Sequence, residues 1–583
     1  MSALPNQRMS PSILTQSFAT RFWRGQRRTL AWTLTITLLI LTVAQVAIPV
    51  AINTWNRHLF DALELRDIDQ LFRQVAYAVL IILANMFVLT SHLLIRRRLQ
   101  VEWRSDLTLH ITTQWVSNGR QDQLSQIAGQ HDNPDGRIAE DIRIATEHAI
   151  DLAHSLLYCL LLLISFTQIL WALSGSPQVN LGFARIWLPG HLVWAALLYA
   201  GAGAAIATWL GRPLVVTANV RQAREADFRF GLVRARDTSL TVALQSAQSE
   251  QRSELERLFG TLVGAWRHQT KALANLFMFS SSWSIMTQTV PVLTAAPRYM
   301  TGEITLGALM QTAQAFQQMI AALSWPIDNM QKLAECRASF ARVNELQTAL
   351  TELARLKSDS TVSAIKIGTG ATAQLAFHDV SLNNAAGKPL LEHFDAAIGA
   401  GERVVIDGDP VVALSLFRAI GGIWPWGSGQ IFLPADDGLV FVPRRLRLCK
   451  STLRNALGEL PAFVSVSDSR SRGAFSPQAA AAALSAVGLS TLIPDLDREE
   501  DWSERLTSQQ CQRLAFARLL LLRPPWILMR EATSFLPSAE AIALFERLSA
   551  ELPRSTIIAI GHDMTRCLTG YRLIDLTPSQ PSR

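Results

Sequence analysis

Apolar residues follow two regimes along this chain. Up to residue 325 they gather in long runs, and beyond residue 373 they come in short blocks separated by polar turns. Six of the long runs reach the roughly 20 residues needed to cross a bilayer. They cover about 30–52, 75–95, 150–173, 191–210, 272–296 and 304–325. The short blocks at 374–377, 403–406, 438–442, 526–529 and 556–560 read as strands, and they alternate with helical patterns such as 415–420. That alternation predicts an α/β domain with a largely parallel sheet. Between the two regimes, 329–357 reads as an amphipathic helix leading into the soluble part, and 358–373 as a linker. The expected organisation is an N-terminal segment 1–28, a six-helix membrane domain 29–345, a linker 346–372, an α/β domain 373–576 and a tail 577–583.

Composition agrees with a membrane protein. Mean hydropathy is +0.18, and there are 16 tryptophans in 583 residues. The net charge of +7 is spread along the chain rather than gathered in one stripe, which argues against nucleic acid as a partner. Residues 1–28 hold Arg8, Arg21, Arg24, Arg27 and Arg28 and no acidic residue, as expected of a cytoplasmic flank. The segments 96–149 and 211–271 are long and arginine-rich, whereas 174–189 and 297–303 hold one basic residue each. Both termini are therefore expected in the cytoplasm. The five cysteines stand at no metal-binding or disulfide spacing, and no metal site is expected.

Carboxylates near the membrane are candidates for proton coupling, because charged groups at that depth are costly to keep. Glu102 and Asp106 lie four residues apart, where like charges disfavour joint ionisation. Glu140, Glu147 and Asp151 share a helical face that runs into the third span. Glu225 and Asp227 complete the set. The competing reading is a solvated face in which Arg104 or Arg143 matches these charges.

In the soluble part, Gly408 follows a buried strand in the layout of a phosphate-binding loop. A working loop reads GxxxxGK[ST], so that backbone N–H groups and a lysine hold phosphate and a hydroxyl holds magnesium. Here Asp409, Pro410, Val411, Val412, Ala413, Leu414 and Ser415 follow. Ala413 replaces the second glycine, Leu414 replaces the lysine, and Pro410 removes a donor. Of the specific groups, Gly408 and Ser415 remain.

The order of the soluble pieces resembles the nucleotide-binding domain of ABC transporters over residues 373–576. Val442, Pro443, Arg444 and Arg445 stand where that family has a glutamine loop, with Arg445 at the glutamine's place or the glutamine absent. Leu506, Thr507, Ser508, Gln509 and Gln510 stand for the signature, followed by the well-matched run Gln512–Arg518. Both signature glycines are missing, and with them the open helix N-terminus that donates N–H groups to phosphate. Arg530 replaces the magnesium-holding aspartate, and the D-loop aspartate is missing from Ser534–Pro537. The resemblance implies that Glu531 stands at the catalytic base and His562 at the switch histidine. Phosphoryl transfer rests on electrostatic positioning, so these two remnants alone imply no ATP hydrolysis. No cofactor is expected, and ATP with magnesium would enter only if the altered site still binds it.

The membrane half is similar to the SbmA/BacA group of bacterial peptide transporters. The similarity lies in Asn53–Asn56 with Phe60–Leu63, in Glu102–Arg104, in the run from Asp132 through Arg137 to Ile142, and in Glu225–Arg229. The resemblance implies an ABC-exporter-like membrane fold, an inner-membrane location and a homodimer among lipids. It also implies import of peptides or peptide-like antibiotics driven by protons. Two alternatives stand beside this one. The first is an ATP-driven half-transporter paired with an active partner. The second is a non-transporting receptor whose arginines at 444, 445, 447 and 530 sense an anion.

Overall fold

The computed structural model describes residues 20–127, 133–174, 178–180, 185–187, 190–358, 365–370, 373–435, 438–458, 475–561 and 570–576. These residues form two compact units. One takes the chain through Leu109 together with Gly136–Asn344, and the other takes His110–Asp135 together with Glu345 onward.

The first unit is helical: α1 (Arg28–Leu65), α2 (Ile68–Val116), α4 (Ile142–Ser174), α5 (His191–Asp237), α6 (Gln248–Met300), α7 (Leu306–Leu323) and α8 (Met330–Ser358). The short α3 (Arg120–Gln126), the end of α2 and the end of α8 belong to the second unit. Among the described residues four helical stretches are long and apolar enough to cross a membrane: Arg28–Leu65, Ile68–Gln126, Pro134–Ser174 and His191–Asp237. They contain the first four expected spans. The fifth and sixth expected spans fall on α6 and α7, which are helical but more polar. Ser280, Ser281, Ser282, Ser284, Thr287, Gln288 and Thr289 dilute α6, and Gln311, Gln314, Gln317 and Gln318 dilute α7.

The glutamine-rich α7 is central to this unit and is gripped at its N-terminus by α1. Thr305 caps it by accepting from Ala308 N, while Glu64 Oε2 accepts from Leu306 N at 2.8 Å and Asp61 Oδ1 from Gly307 N at 3.1 Å. Carboxylates suit a helix N-terminus because its first N–H groups lack partners and carry the positive end of the dipole. One turn further in, the fully buried Asn53 donates to Gln311 O at 3.0 Å, and Asn56 donates to Gln314 Oε1 at 2.7 Å. Below this polar seam Phe166, Leu170, Leu192, Phe316 and Met319 close an apolar core.

The second unit is α/β. Its parallel sheet runs in the order β9 (Arg572–Asp575), β4 (Arg403–Asp407), β8 (Thr556–Ile560), β7 (Trp526–Arg530), β6 (Leu439–Val442). A second sheet has the order β1 (Lys366–Thr369), β5 (Gly427–Leu433), β2 (Gln374–Asn383), β3 (Pro389–Gly399). Because side chains alternate along a strand, the parallel strands feed two cores. Ile527, Met529, Ile557 and Ala559 join the core beneath α10 (Ser508–Leu522) and α11 (Ser538–Glu551). Trp526, Leu528, Ile558 and Ile560 join the core shared with α9 (Pro410–Ile420). Burial on both faces is why these strands read as unbroken apolar blocks.

Candidate functional site

The loop after β4 is set by three local choices. Gly408 holds φ at 153°, and a Cβ there would lie 2.7 Å from Leu576 Cβ, so glycine alone fits without a shift. Asp409 is the N-cap of α9, its Oδ1 accepting from Val411 N at 2.7 Å and Val412 N at 3.3 Å. Pro410 occupies the first helical turn, where its missing N–H costs nothing. The helix therefore starts at Pro410, five residues earlier than the apolar pattern suggests. Its first donors are engaged by the chain's own carboxylate. Ser415 is buried and donates to Val411 O at 2.9 Å, so its hydroxyl is engaged within its own helix.

At the end of β7, Arg530 Nη2 donates to Glu531 Oε1 at 2.8 Å, and Arg444 Nε lies 3.3 Å from Glu531 Oε2. Glu531 thus faces two guanidinium groups while holding a positive φ of 47°, a strained conformation for a residue with a side chain. Burial lowers the pKa of Arg530, with Glu531 acting to raise it again. Arg444 and Arg445 also stack over the Phe535 ring at 5.1 and 5.8 Å. His562 lies outside the described residues.

The hub of this region is Gln512, which the sequence pattern did not single out. Only 3% exposed, it donates to Arg444 O at 3.3 Å, Glu531 O at 3.2 Å and Ser534 Oγ at 3.3 Å, and accepts from Phe535 N at 3.0 Å. One side chain thereby joins α10 to the segments after β6 and β7. At the start of α10, Thr507 and Gln510 form a capping box, each side chain accepting from the other's N–H. Two N–H groups at this end are therefore satisfied within the chain.

A cavity of about 350 Å³ lies between α9 and the β2–β3 turn, lined among others by Asn384, Leu390, Leu414, Arg418, Trp424 and Arg530. Arg418 is held there by Asp122 of the α2–α3 segment at 2.6 Å, and Gln123 donates to Ile423 O at 2.9 Å. Residues 110–135 are in this way built into the α/β unit.

The carboxylates singled out for proton coupling are mostly ion-paired. Glu102 meets Arg27 at 2.8 Å, Asp106 meets Arg21 at 3.8 Å and Glu147 meets Arg143 at 3.4 Å. Glu225 and Asp227 pair with Arg221 and Arg224 on the exposed surface of α5. Glu140 is exposed, and its neighbour Asp141 is the buried member, in a bidentate pair with Arg342 at 2.5 and 2.8 Å. Asp151 is paired too, with Arg96 at 3.6 Å, and also accepts from Gln100 at 2.8 Å. Beside it lie two histidines that the sequence reading passed over, His92 and His154, with ring centroids 4.1 Å apart. The signal for them was available, since both interrupt apolar runs expected to span the membrane.

Comparison with known proteins adds the following. Residues 22–300 match the family model described as ABC transporter transmembrane region 2. The chain is 28% identical over 550 residues to the inner membrane ABC transporter ATP-binding protein YddA of Escherichia coli, covering 93% of each chain. It is 29% identical over 561 residues to an ABC transporter ATP-binding protein of Synechocystis, covering 93% of this chain and 79% of that one. It is 23% identical to the human lysosomal cobalamin transporter ABCD4, covering 90% and 88%. These findings overturn the resemblance to the SbmA/BacA group with a degenerate nucleotide-binding domain attached. The relatives align through both halves and are named ABC transporters, so this chain is similar to complete half-transporters, and membrane transport is the function they support.

The names of relatives such as YddA imply ATP. The residues around Gly408 do not fit that group. Asp409 holds the N–H groups of Val411 and Val412, Leu414 offers no charge, and Arg530 places a cation where a metal-holding carboxylate would be needed.

Proposed function

We propose that this chain is one half of a homodimeric transporter in a bacterial inner membrane, with both termini cytoplasmic. It imports a peptide or another amide-rich solute, driven by the proton gradient. The observation that carries the choice of energy source is the engagement of the Gly408 loop by Asp409, together with the binding of Glu531 between Arg444 and Arg530. A site whose donors and base are satisfied by its own chain has no differential interaction to offer a nucleotide. The partly exposed amides of Gln317 and Gln318 on the central helix α7 support an amide-rich cargo, since amides pair with peptide groups as donor and acceptor at once. The cobalamin carried by one relative is itself a bulky, amide-bearing solute.

The relatives' ATP-binding names favour a second reading, in which this chain pairs with an active partner and ATP drives transport. Proteoliposomes holding the purified chain separate the two. Uptake under an imposed pH gradient without nucleotide supports the first reading. Uptake that survives collapse of the gradient and requires ATP rejects it.

A further inference from the structure

We infer that His92 and His154 form a proton-accepting pair inside the membrane unit that opens and closes the contact between α2 and α4 through Asp151. This rests on the proton-driven reading above and goes beyond it by naming the site. The groups come from two facing stripes. His92, Arg96 and Gln100 recur every four residues on α2, while Glu147, Asp151, His154 and Tyr158 recur at helical spacing on α4. His92 is only 4% exposed, and its Nε2 is buried with no hydrogen-bond partner among the described residues. His154 contacts Gln45 of α1 at 3.4 Å and stacks towards Tyr158. Asp151 is held by Gln100 at 2.8 Å and Arg96 at 3.6 Å, and Glu147 is turned to Arg143.

The arrangement limits what the pair can do. Buried polar nitrogens without a partner are costly, so an orphaned imidazole nitrogen in an apolar span needs a reason to be kept. With centroids 4.1 Å apart, two imidazolium rings would repel each other and Arg96, so the pair takes one proton rather than two. That proton adds to a ring nitrogen and makes a cation one turn along α4 from Asp151, which Arg96 and Gln100 already share. Protonation therefore makes a second cation compete with Arg96 for one carboxylate, which changes how α2 holds α4. Loss of the proton to the other side restores the first arrangement. One proton enters and one leaves per cycle, and no other bond changes.

Two measurements test this. In proteoliposomes, a gradient of about two pH units sustains up to about a hundredfold accumulation per coupled proton, because each unit is a factor of about ten. The variants His92→Gln and His154→Gln are expected to lose accumulation while keeping exchange of labelled for unlabelled peptide at equilibrium. Wild-type accumulation in both variants would overturn the inference and leave the proton-driven reading intact. Absence of gradient-driven uptake in the wild type would instead overturn that reading. The second measurement uses unmutated protein in lipid vesicles with ¹⁵N-labelled histidine. One shared titration step for the two rings is expected by NMR. Two independent steps, or none, would overturn the pair whatever the variants do.

Discussion

Arg530 and Glu531, neighbours in sequence at the end of a buried strand, form an ion pair with each other at 2.8 Å, and Arg444 closes on the same carboxylate from the opposite side. Glu531 is thus the centre of a cation–anion–cation arrangement. The purified chain is therefore expected to gain no thermal stability from magnesium and ATP. A ligand present at about a hundred times its Kd stabilises the folded state by about 2.7 kcal/mol, which a melting curve resolves easily. A rise of several degrees in Tm with nucleotide would show that Asp409 and Arg530 move aside.

Gln512 → Leu is expected to cost about 1–3 kcal/mol. It leaves the carbonyls of Arg444 and Glu531 and the N–H of Phe535 without their partner, and stranded buried groups cost about that much. The Tm of the α/β unit, followed by the fluorescence of the fully buried Trp502 and Trp526, should fall. An unchanged Tm would mean that water replaces the amide at every one of these groups.

Four strands of the parallel sheet were legible because burial on both faces leaves continuous apolar blocks such as Trp526–Arg530 and Thr556–Ile560, whereas the mostly exposed edge strand β9 was missed. The mixed sheet was largely missed, since β3 buries only Leu391, Phe394 and Ile398, at irregular spacing, and carries charges at Glu392 and Asp395. The start of α9 was misplaced because Pro410 reads as a lost donor unless Asp409 is seen as a cap; Asp-Pro is a helix-start signal. At the candidate site, identities such as Leu414 and Arg530 were readable from spacing. The roles of Gln512, His92 and Asp141 were not, because each depends on a partner 19 to 201 residues away that only packing selects. For the carboxylates, helical spacing shows which residues share a face but not which face turns inward.

Asp141 → Asn is expected to lower stability by about 2–3 kcal/mol. The side chain is 10% exposed and holds both Arg342 and Ser339, so its loss leaves a guanidinium without its fork. Arg342 is itself 44% exposed, which lets water recover part of the cost and keeps the effect below that of a fully buried pair. Glu140 → Gln, one residue earlier on the exposed side, should leave the Tm unchanged within a degree or so. Equal effects of the two substitutions would remove the distinction drawn between them.

Gly307 → Ala tests whether the seam between α1 and α7 is as tight as its geometry states. A Cβ at residue 307 would lie 2.1 Å from the Arg57 carbonyl oxygen and 2.4 Å from Asp61 Oδ1. The carbonyl belongs to helix backbone and cannot rotate away, so α1 must move off α7. That movement stretches the bond from Gly307 N to Asp61 and the buried bond from Asn53 to Gln311 together. Overpacking of this kind costs about 1–3 kcal/mol. Helix propensity alone would favour alanine by about 1 kcal/mol, so the two terms oppose each other and the sign of the measured change decides between them. A lower Tm with unchanged helical content by circular dichroism is the expected result. A higher Tm would mean that α1 and α7 stand further apart in the membrane than this contact requires.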